Sequence, residues 1–255
     1  RLTAHGGAFN WTHIFGPSVV NELRLGFAKT NPETRQSDFG TQAATSLGIQ
    51  GINVTEFTTG LPNLNIQDLT GISGGPAFLP VNPKQTHYQV EDTVSWVRSR
   101  HAFKGGYRFI LRQPSPFTNT DTRSSISINR NLTNNPATNS QGSGIATLLL
   151  GYTTGGARGF LLEPYDMTNY EHSLFVQDDW KVTDRVTVNL GLRYDIFVPD
   201  TEKEDRLVNF DPQANTLVYA GEDGTDRRVN KAIDWGNIAP RLGVAWDVTG
   251  NAKNV

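Results

Sequence analysis

The sequence predicts an all-β protein, an antiparallel up-and-down transmembrane β-barrel, partial, with about seven to nine strands and long extracellular loops. Three observations predict it. Extended runs with one oily and one polar face recur along the chain, the segments joining them alternate between short and long, and tryptophans recur just ahead of the short joins. A soluble antiparallel sandwich also alternates polar and apolar residues. It predicts no such alternation of loop length, and it seldom uses strands this long.

The clearest run is 186–197. Alternate side chains of a strand point to opposite faces. The even positions are Val186, Val188, Leu190, Leu192, Tyr194 and Ile196, and the odd ones are Thr187, Asn189, Gly191, Arg193, Asp195 and Phe197. One face is wholly apolar or aromatic, and the other is polar until its last residue. Its 12 residues exceed the ~5–6 of a typical soluble strand and suit the ~9–11 of a tilted bilayer crossing. Covering six such side chains is worth about 9–18 kcal/mol. A one-residue slip also puts Arg193 into lipid at ~2–4 kcal/mol, so the register is firmly set.

The same parity recurs in chain order. Leu23, Leu25 and Phe27 alternate with Glu22, Arg24 and Gly26. Tyr88, Val90, Val94 and Trp96 alternate with His87, Gln89, Glu91, Thr93 and Ser95, with Asp92 the polar exception on the oily side. Phe103, Tyr107, Phe109 and Leu111 alternate with Lys104, Arg108 and Arg112. Leu174, Val176 and Trp180 alternate with Ser173, Gln177 and Asp179, and Leu242, Val244, Trp246 and Val248 with Arg241, Gly243, Ala245 and Asp247. Residues 1–14 are extended with poorer alternation.

Joins 15–18, 98–101 and 181–185 are short, whereas 29–86, 113–168 and 198–236 are long, and Thr249-Gly250-Asn251 marks one more turn. Outer-membrane barrels have short periplasmic turns and long outer loops. A pair of crossings at 123–130 and 156–163 would raise the strand number from seven to nine and leave every short turn on the same side. Trp11, Trp96, Trp180 and Trp246 lie a few residues before a short turn, where an aromatic girdle sits. Trp235 escapes the pattern. Leu190, Leu192, Tyr194, Trp96, Trp180 and Trp246 are the predicted lipid-facing and girdle residues.

The 255 residues carry a formal charge of −2, so no concentrated basic face points to nucleic acid. No run approaches the ~18 apolar residues of a membrane helix, so a membrane role must use strands. Candidate chemistry is sparse. Asp178 and Asp179 are neighbours on a strand and point to opposite faces, so they cannot act together as acid and base. His5, His13, His87, His101 and His172 show no metal-ligand spacing, there is no cysteine, and GGARG (155–159) and GISGG (71–75) lack the lysine of a phosphate loop. No catalytic residue, metal or cofactor is expected.

The predicted lumen-facing set is Glu22, Arg24, Glu91, Lys104, Arg108, Arg112, Asp179, Arg193, Asp195, Arg241 and Asp247. Both signs are present, which suits a wall of paired charges around a plug better than a single-sign pore. Arg108, Arg112 and Arg193 are the first choices for substrate contact. Residues 144–152 form an apolar run too short to cross a bilayer, either one or two helical turns or packing inside a loop. Phe57, Phe78, Phe117, Tyr165 and Tyr219, in the long loops, either staple the loops together or grip a ligand.

At LFVQDDWKVTDRVTVNLGLRYD (174–195) the chain resembles the TonB-dependent outer-membrane receptors, particularly the Oar-like group with a carboxypeptidase-regulatory-like N-terminal domain. NELRLGF (21–27), HAFKGGYRF (101–109), IATLLLGY (145–152) and APRLGVAWDVTG (239–250) extend the resemblance in order along the chain. It implies a 22-stranded barrel closed by a plug, residing in the bacterial outer membrane. It also implies import of a scarce solute, saccharide or peptide by energy passed through the TonB complex. At about 36 residues per strand such a barrel takes roughly 800 residues, so a fragment without plug or TonB box, inactive in transport by itself, is expected. The runner-up is an outer-membrane adhesion or surface-assembly barrel that binds protein or polysaccharide without uptake. A barrel hydrolase would need a Ser-His or paired-acid arrangement that the sequence does not show.

Overall fold

A computed structural model describes residues 1–160 and 163–250. In chain order it contains β1 (Leu2–Gly16), β2 (Val19–Pro32), α1 (Ala43–Ser46), β3 (Asn63–Ile66), β4 (Lys84–Arg98), β5 (His101–Ser115) and β6 (Ser125–Ile128). Then follow α2 (Gly144–Leu149), β7 (Gly155–Ala157), β8 (Met167–Lys181), β9 (Val186–Glu202), β10 (Val208–Asp211), β11 (Thr216–Tyr219) and β12 (Ile238–Trp246). The chain divides into two compact units: one holds 1–3, 31–84 and 115–165, the other 4–30, 85–114 and 166–250.

The second unit is built on a seven-stranded sheet in the order β1-β2-β4-β5-β8-β9-β12. β2 pairs antiparallel with β4, β5 with β8, β8 with β9 and β9 with β12. Each sequential neighbour lies beside its predecessor, the up-and-down arrangement that the alternating runs predict, and β1 and β12 are its two edges among the described residues. The run at 1–14 is thus a full strand despite its weak alternation. An edge strand is held by backbone hydrogen bonds and needs less from its side chains.

Register gathers most of the oily residues on one face, with Asp92 and Asp178 as polar exceptions there and Phe175 an aromatic one on the other. Phe103, Asp178, Leu190 and Leu242 form one row across four strands, and Gly105, Val176, Leu192 and Pro240 the next. Leu190 is 45% exposed, Leu192 46% and Val244 65%. No second layer among the described residues covers them. By contrast, the buried residues of this sheet are Thr93, Glu171, Ser173 and Glu202, all polar and all on its strands' other face or outer end. A sheet that exposes leucine and buries glutamate is the inverse of a water-soluble one. Each exposed apolar side chain becomes favourable only when hydrocarbon covers it.

The sequence underestimates the strands. β2 runs to Pro32, β4 starts at Lys84, β5 reaches Ser115, β8 starts at Met167 and β9 reaches Glu202, so the long joins are each shorter than 29–86, 113–168 and 198–236. Beyond the hydrocarbon, a strand keeps its ladder but no longer needs the oily alternation that reveals it. Residues 123–130 and the described part of 156–163 add no strand to the seven-stranded sheet. β6 pairs antiparallel with β7 in a separate three-stranded sheet with β3, inside the first unit. Residues 161 and 162 of the latter run lie outside the described residues, as does Asn251 of the turn at Thr249-Gly250-Asn251.

The first unit has a small core of Ala44, Ile52, Ile66, Leu79, Phe117 and Ile128. At its centre, Arg123 is 0% exposed and donates to the carbonyls of Leu61 (2.7 Å), Gly75 (2.5 Å), Pro76 (2.8 Å) and Leu79 (3.3 Å). Two separate stretches of irregular chain, at 61 and 75–79, thus converge on one guanidinium. Burial pushes its pKa below the ordinary arginine value, opposed by the Asp38 carboxylate at 3.6 Å. Phe57 packs on the fully buried Phe117 at a centroid distance of 4.5 Å, so these two loop aromatics staple the unit together. Phe78 and Tyr219 remain exposed. The run at 144–152 is the short helix α2, which rests on β3 and β6 of the same unit.

Candidate functional site: the polar face of the sheet

Parity decides which side chains share the polar face, and cross-strand pairing decides which of them meet. Arg108 lies opposite Ser173, and Ser173 opposite Asp195, in one row over β5, β8 and β9. One row away are Gly106, Phe175, Arg193 and Ala239, and beyond these Lys104, Gln177, Gly191 and Arg241. Asp179 sits opposite Asn189.

The charges close on each other. Glu171 accepts from Arg108 at 2.7 Å and Arg112 at 2.6 Å, with its own side chain only 7% exposed. Arg193 and Asp195 join at 2.9 Å, and both Arg108 and Arg193 approach the Ser173 hydroxyl at 3.5 Å. Asn189 donates to Asp179 at 2.5 Å. On the neighbouring strands Arg24 bridges Glu22 at 3.1 Å and Glu91 at 3.8 Å. Arg108, Arg112, Arg193 and Asp195 are therefore one network, whereas Asp179 lies apart from them and Arg241 carries no ion pair among the described residues.

Two small residues shape this wall. A Cβ on Gly106 would fall 2.7 Å from the Asp92 carbonyl oxygen and 2.8 Å from the Phe175 ring, so only glycine lets that ring lie across β5. Gly191 leaves a gap between Gln177 and Arg241. That gap opens a hollow of about 200 Å³ whose lining includes Phe175, Gln177, Arg193 and Arg241.

The network's central acid, Glu171, escapes a reading that starts the strand at Ser173. Its odd parity, shared with Ser173, Gln177 and Asp179, is the signal that finds it. The arrangement offers charged and amide donors to a polar surface or solute. Among the described residues no group of three or more histidine, cysteine or acidic side chains is close enough to hold a metal ion.

The opposite face holds the predicted lipid-side residues. Leu190, Leu192, Tyr194 and Trp180 fall on it, with Trp96 opposite Val19 and Trp246 opposite Val186. Its polar side chains pair diagonally across strands. Asn21 donates to Asp92 at 2.5 Å, His101 meets Asp178 at 2.6 Å, and the Tyr107 hydroxyl meets His172 at 2.8 Å. Asp92, the exception in the alternation, thus has a partner two strands' width of sequence could not reveal. Polar atoms tolerate this face when they satisfy each other.

A family model described as an outer membrane beta barrel domain matches residues 1–255. No curated protein matches the chain.

Proposed function

Starting from the fact that this chain belongs to the outer membrane beta barrel domain family, and so lies in the outer membrane as strands, we propose that it is part of a TonB-dependent receptor. In this reading the barrel binds a scarce solute and imports it with energy transmitted by TonB. The observation that carries the proposal is the charge pairing on the polar face. Glu171 is shared by Arg108 and Arg112, and Asp195 is held by Arg193. Mutually neutralised groups make a poor ion filter and a good wall for a folded plug, because neither sign is left as a continuous field. The resemblance of NELRLGF, HAFKGGYRF and APRLGVAWDVTG to such receptors points the same way. We propose binding and passage with no bond chemistry at this wall.

The test is accumulation of candidate iron chelates, sugars and peptides by a strain lacking the gene. Uptake should fall, return with the full-length gene, and vanish when the inner-membrane proton gradient is dissipated. Surface binding with no energy-dependent accumulation would assign the protein instead to adhesion or surface assembly. In the full-length protein Arg193→Glu should lower the assembled fraction more than it alters substrate choice. Normal assembly with a changed substrate would place Arg193 in the ligand site.

A further inference from the structure

On the hydrocarbon side, beside the tight turn between β4 and β5, lies a constellation that the polar face does not use. Four rings stack in series across three strands. Trp96 and Phe103 are 5.4 Å apart, Phe103 and His101 5.4 Å at an interplanar angle of 4°, and His101 and Trp180 5.5 Å at 10°. At one end the exposed Arg98 guanidinium stands 5.6 Å from the Trp96 ring centroid and has no carboxylate partner among the described residues.

Toward the other end, Asp178 Oδ2 holds His101 Nδ1 at 2.6 Å. The second carboxylate oxygen, Oδ1, is buried and has no hydrogen-bond partner among the described residues. A buried carboxylate oxygen without a donor is costly. Beyond Asp178 a groove of about 580 Å³ runs over the apolar face between Phe103, Val176, Leu190, Leu192 and Leu242. Gly105 and Pro240, at the two ends of the row that Val176 and Leu192 share, put no large side chain into it.

We propose that this is a binding site for an amine-bearing zwitterionic phospholipid of the periplasmic leaflet, with a phosphoethanolamine headgroup. The occupant follows from charge and position. This face meets lipid, and short turns of outer-membrane barrels lie on the periplasmic side. Arg98 offers a cation to the phosphate, and Asp178 Oδ1 takes a proton donor from the ammonium. The two residues lie on strands two spacings apart, about 9–10 Å, the reach of a phosphoethanolamine group with a hydrogen bond at each end. One acyl chain lies in the groove. A purely anionic headgroup brings no cation to Asp178, and a trimethylated one brings no N–H, so the site discriminates by headgroup rather than by chain.

The experiment is competitive lipid retention by the full-length protein, reconstituted in mixed bilayers, extracted mildly and weighed intact with its bound lipids. Phosphatidylethanolamine should be retained over phosphatidylglycerol and phosphatidylcholine by about tenfold, the worth of one charge-assisted hydrogen bond. Asp178→Asn keeps an acceptor for His101 and should abolish the preference over phosphatidylcholine. Arg98→Gln, on an exposed rim, should reduce retention of all three lipids. Heat-modified gel mobility checks that both variants fold. Equal retention of the three lipids by the wild-type protein, or an unchanged preference in Asp178→Asn, overturns the proposal.

Discussion

Arg123 shows how one side chain can organise a segment that has little regular structure. Its guanidinium serves four carbonyls that no strand ladder satisfies. Lysine has a single nitrogen and cannot fan out to the same positions. Arg123→Lys should cost the first unit about 3–5 kcal/mol, seen as faster proteolysis within 31–84 and 115–165 while heat-modified mobility of the barrel stays the same. Glu202 is a second residue of this kind, at the far end of β9 past the apolar stretch that ends with Ile196. Burial pushes its carboxyl up, but the Arg206 side chain at 2.7 Å and the backbone amides of Arg206 and Glu204 outweigh that and hold its pKa at about 2. A lowered folded-state value means the stabilisation is complete above about 4.5 and fades as pH falls toward 2. Melting temperature measured against pH should therefore drop more steeply below about 4.5 in the wild type than in Glu202→Gln, the two curves converging at the acid end.

At the scale of elements, β5, β8 and β9 are bound on the polar face by a network whose hub is Glu171. Removing that hub alone leaves Arg108 and Arg112 as like charges facing each other. Glu171→Gln should lower stability by about 2–4 kcal/mol, read from the urea midpoint of the folded species. Adding Arg112→Gln should return part of the loss, because a surplus cation goes with it. The reverse face follows another logic. Tyr107 and His172 satisfy each other at 2.8 Å where lipid supplies no donor or acceptor. Truncating only Tyr107 to Phe strands the imidazole and should cost about 1–2 kcal/mol, whereas Tyr107→Phe with His172→Leu should be near neutral; the urea midpoints of the single and double variants check this.

For the molecule, the decisive property is that the seven-stranded sheet wears its apolar side outward. Trp96, Trp180 and Trp246 are each more than a third exposed on that side, and no layer among the described residues covers them. In bilayers carrying bromine at set depths along the acyl chains, their fluorescence should be quenched most by bromine close to the headgroups. Trp235, in the join between β9 and β12, should be quenched least. Quenching strongest at the bilayer centre would contradict the girdle position.

The sequence by itself determined the strands, their order of succession and the face each side chain takes, because a strand's period of two converts position directly into side. It also determined the environment. Six oily alternating runs are stable only against hydrocarbon, and the loop lengths orient the turns. Only the tertiary structure decided which polar groups meet. The closure of Glu171 on Arg108 and Arg112, the pairing of Asp92 with Asn21 and the burial of Arg123 among four carbonyls join residues 59 to 71 positions apart, or 44 to 62 for Arg123. Local periodicity carries no information over such separations, since contact there depends on the register and curvature of strands brought together by folding. The outer ends of the strands were hidden for a related reason. Past the membrane their backbone still pairs, but solvent no longer imposes the pattern that betrays a strand.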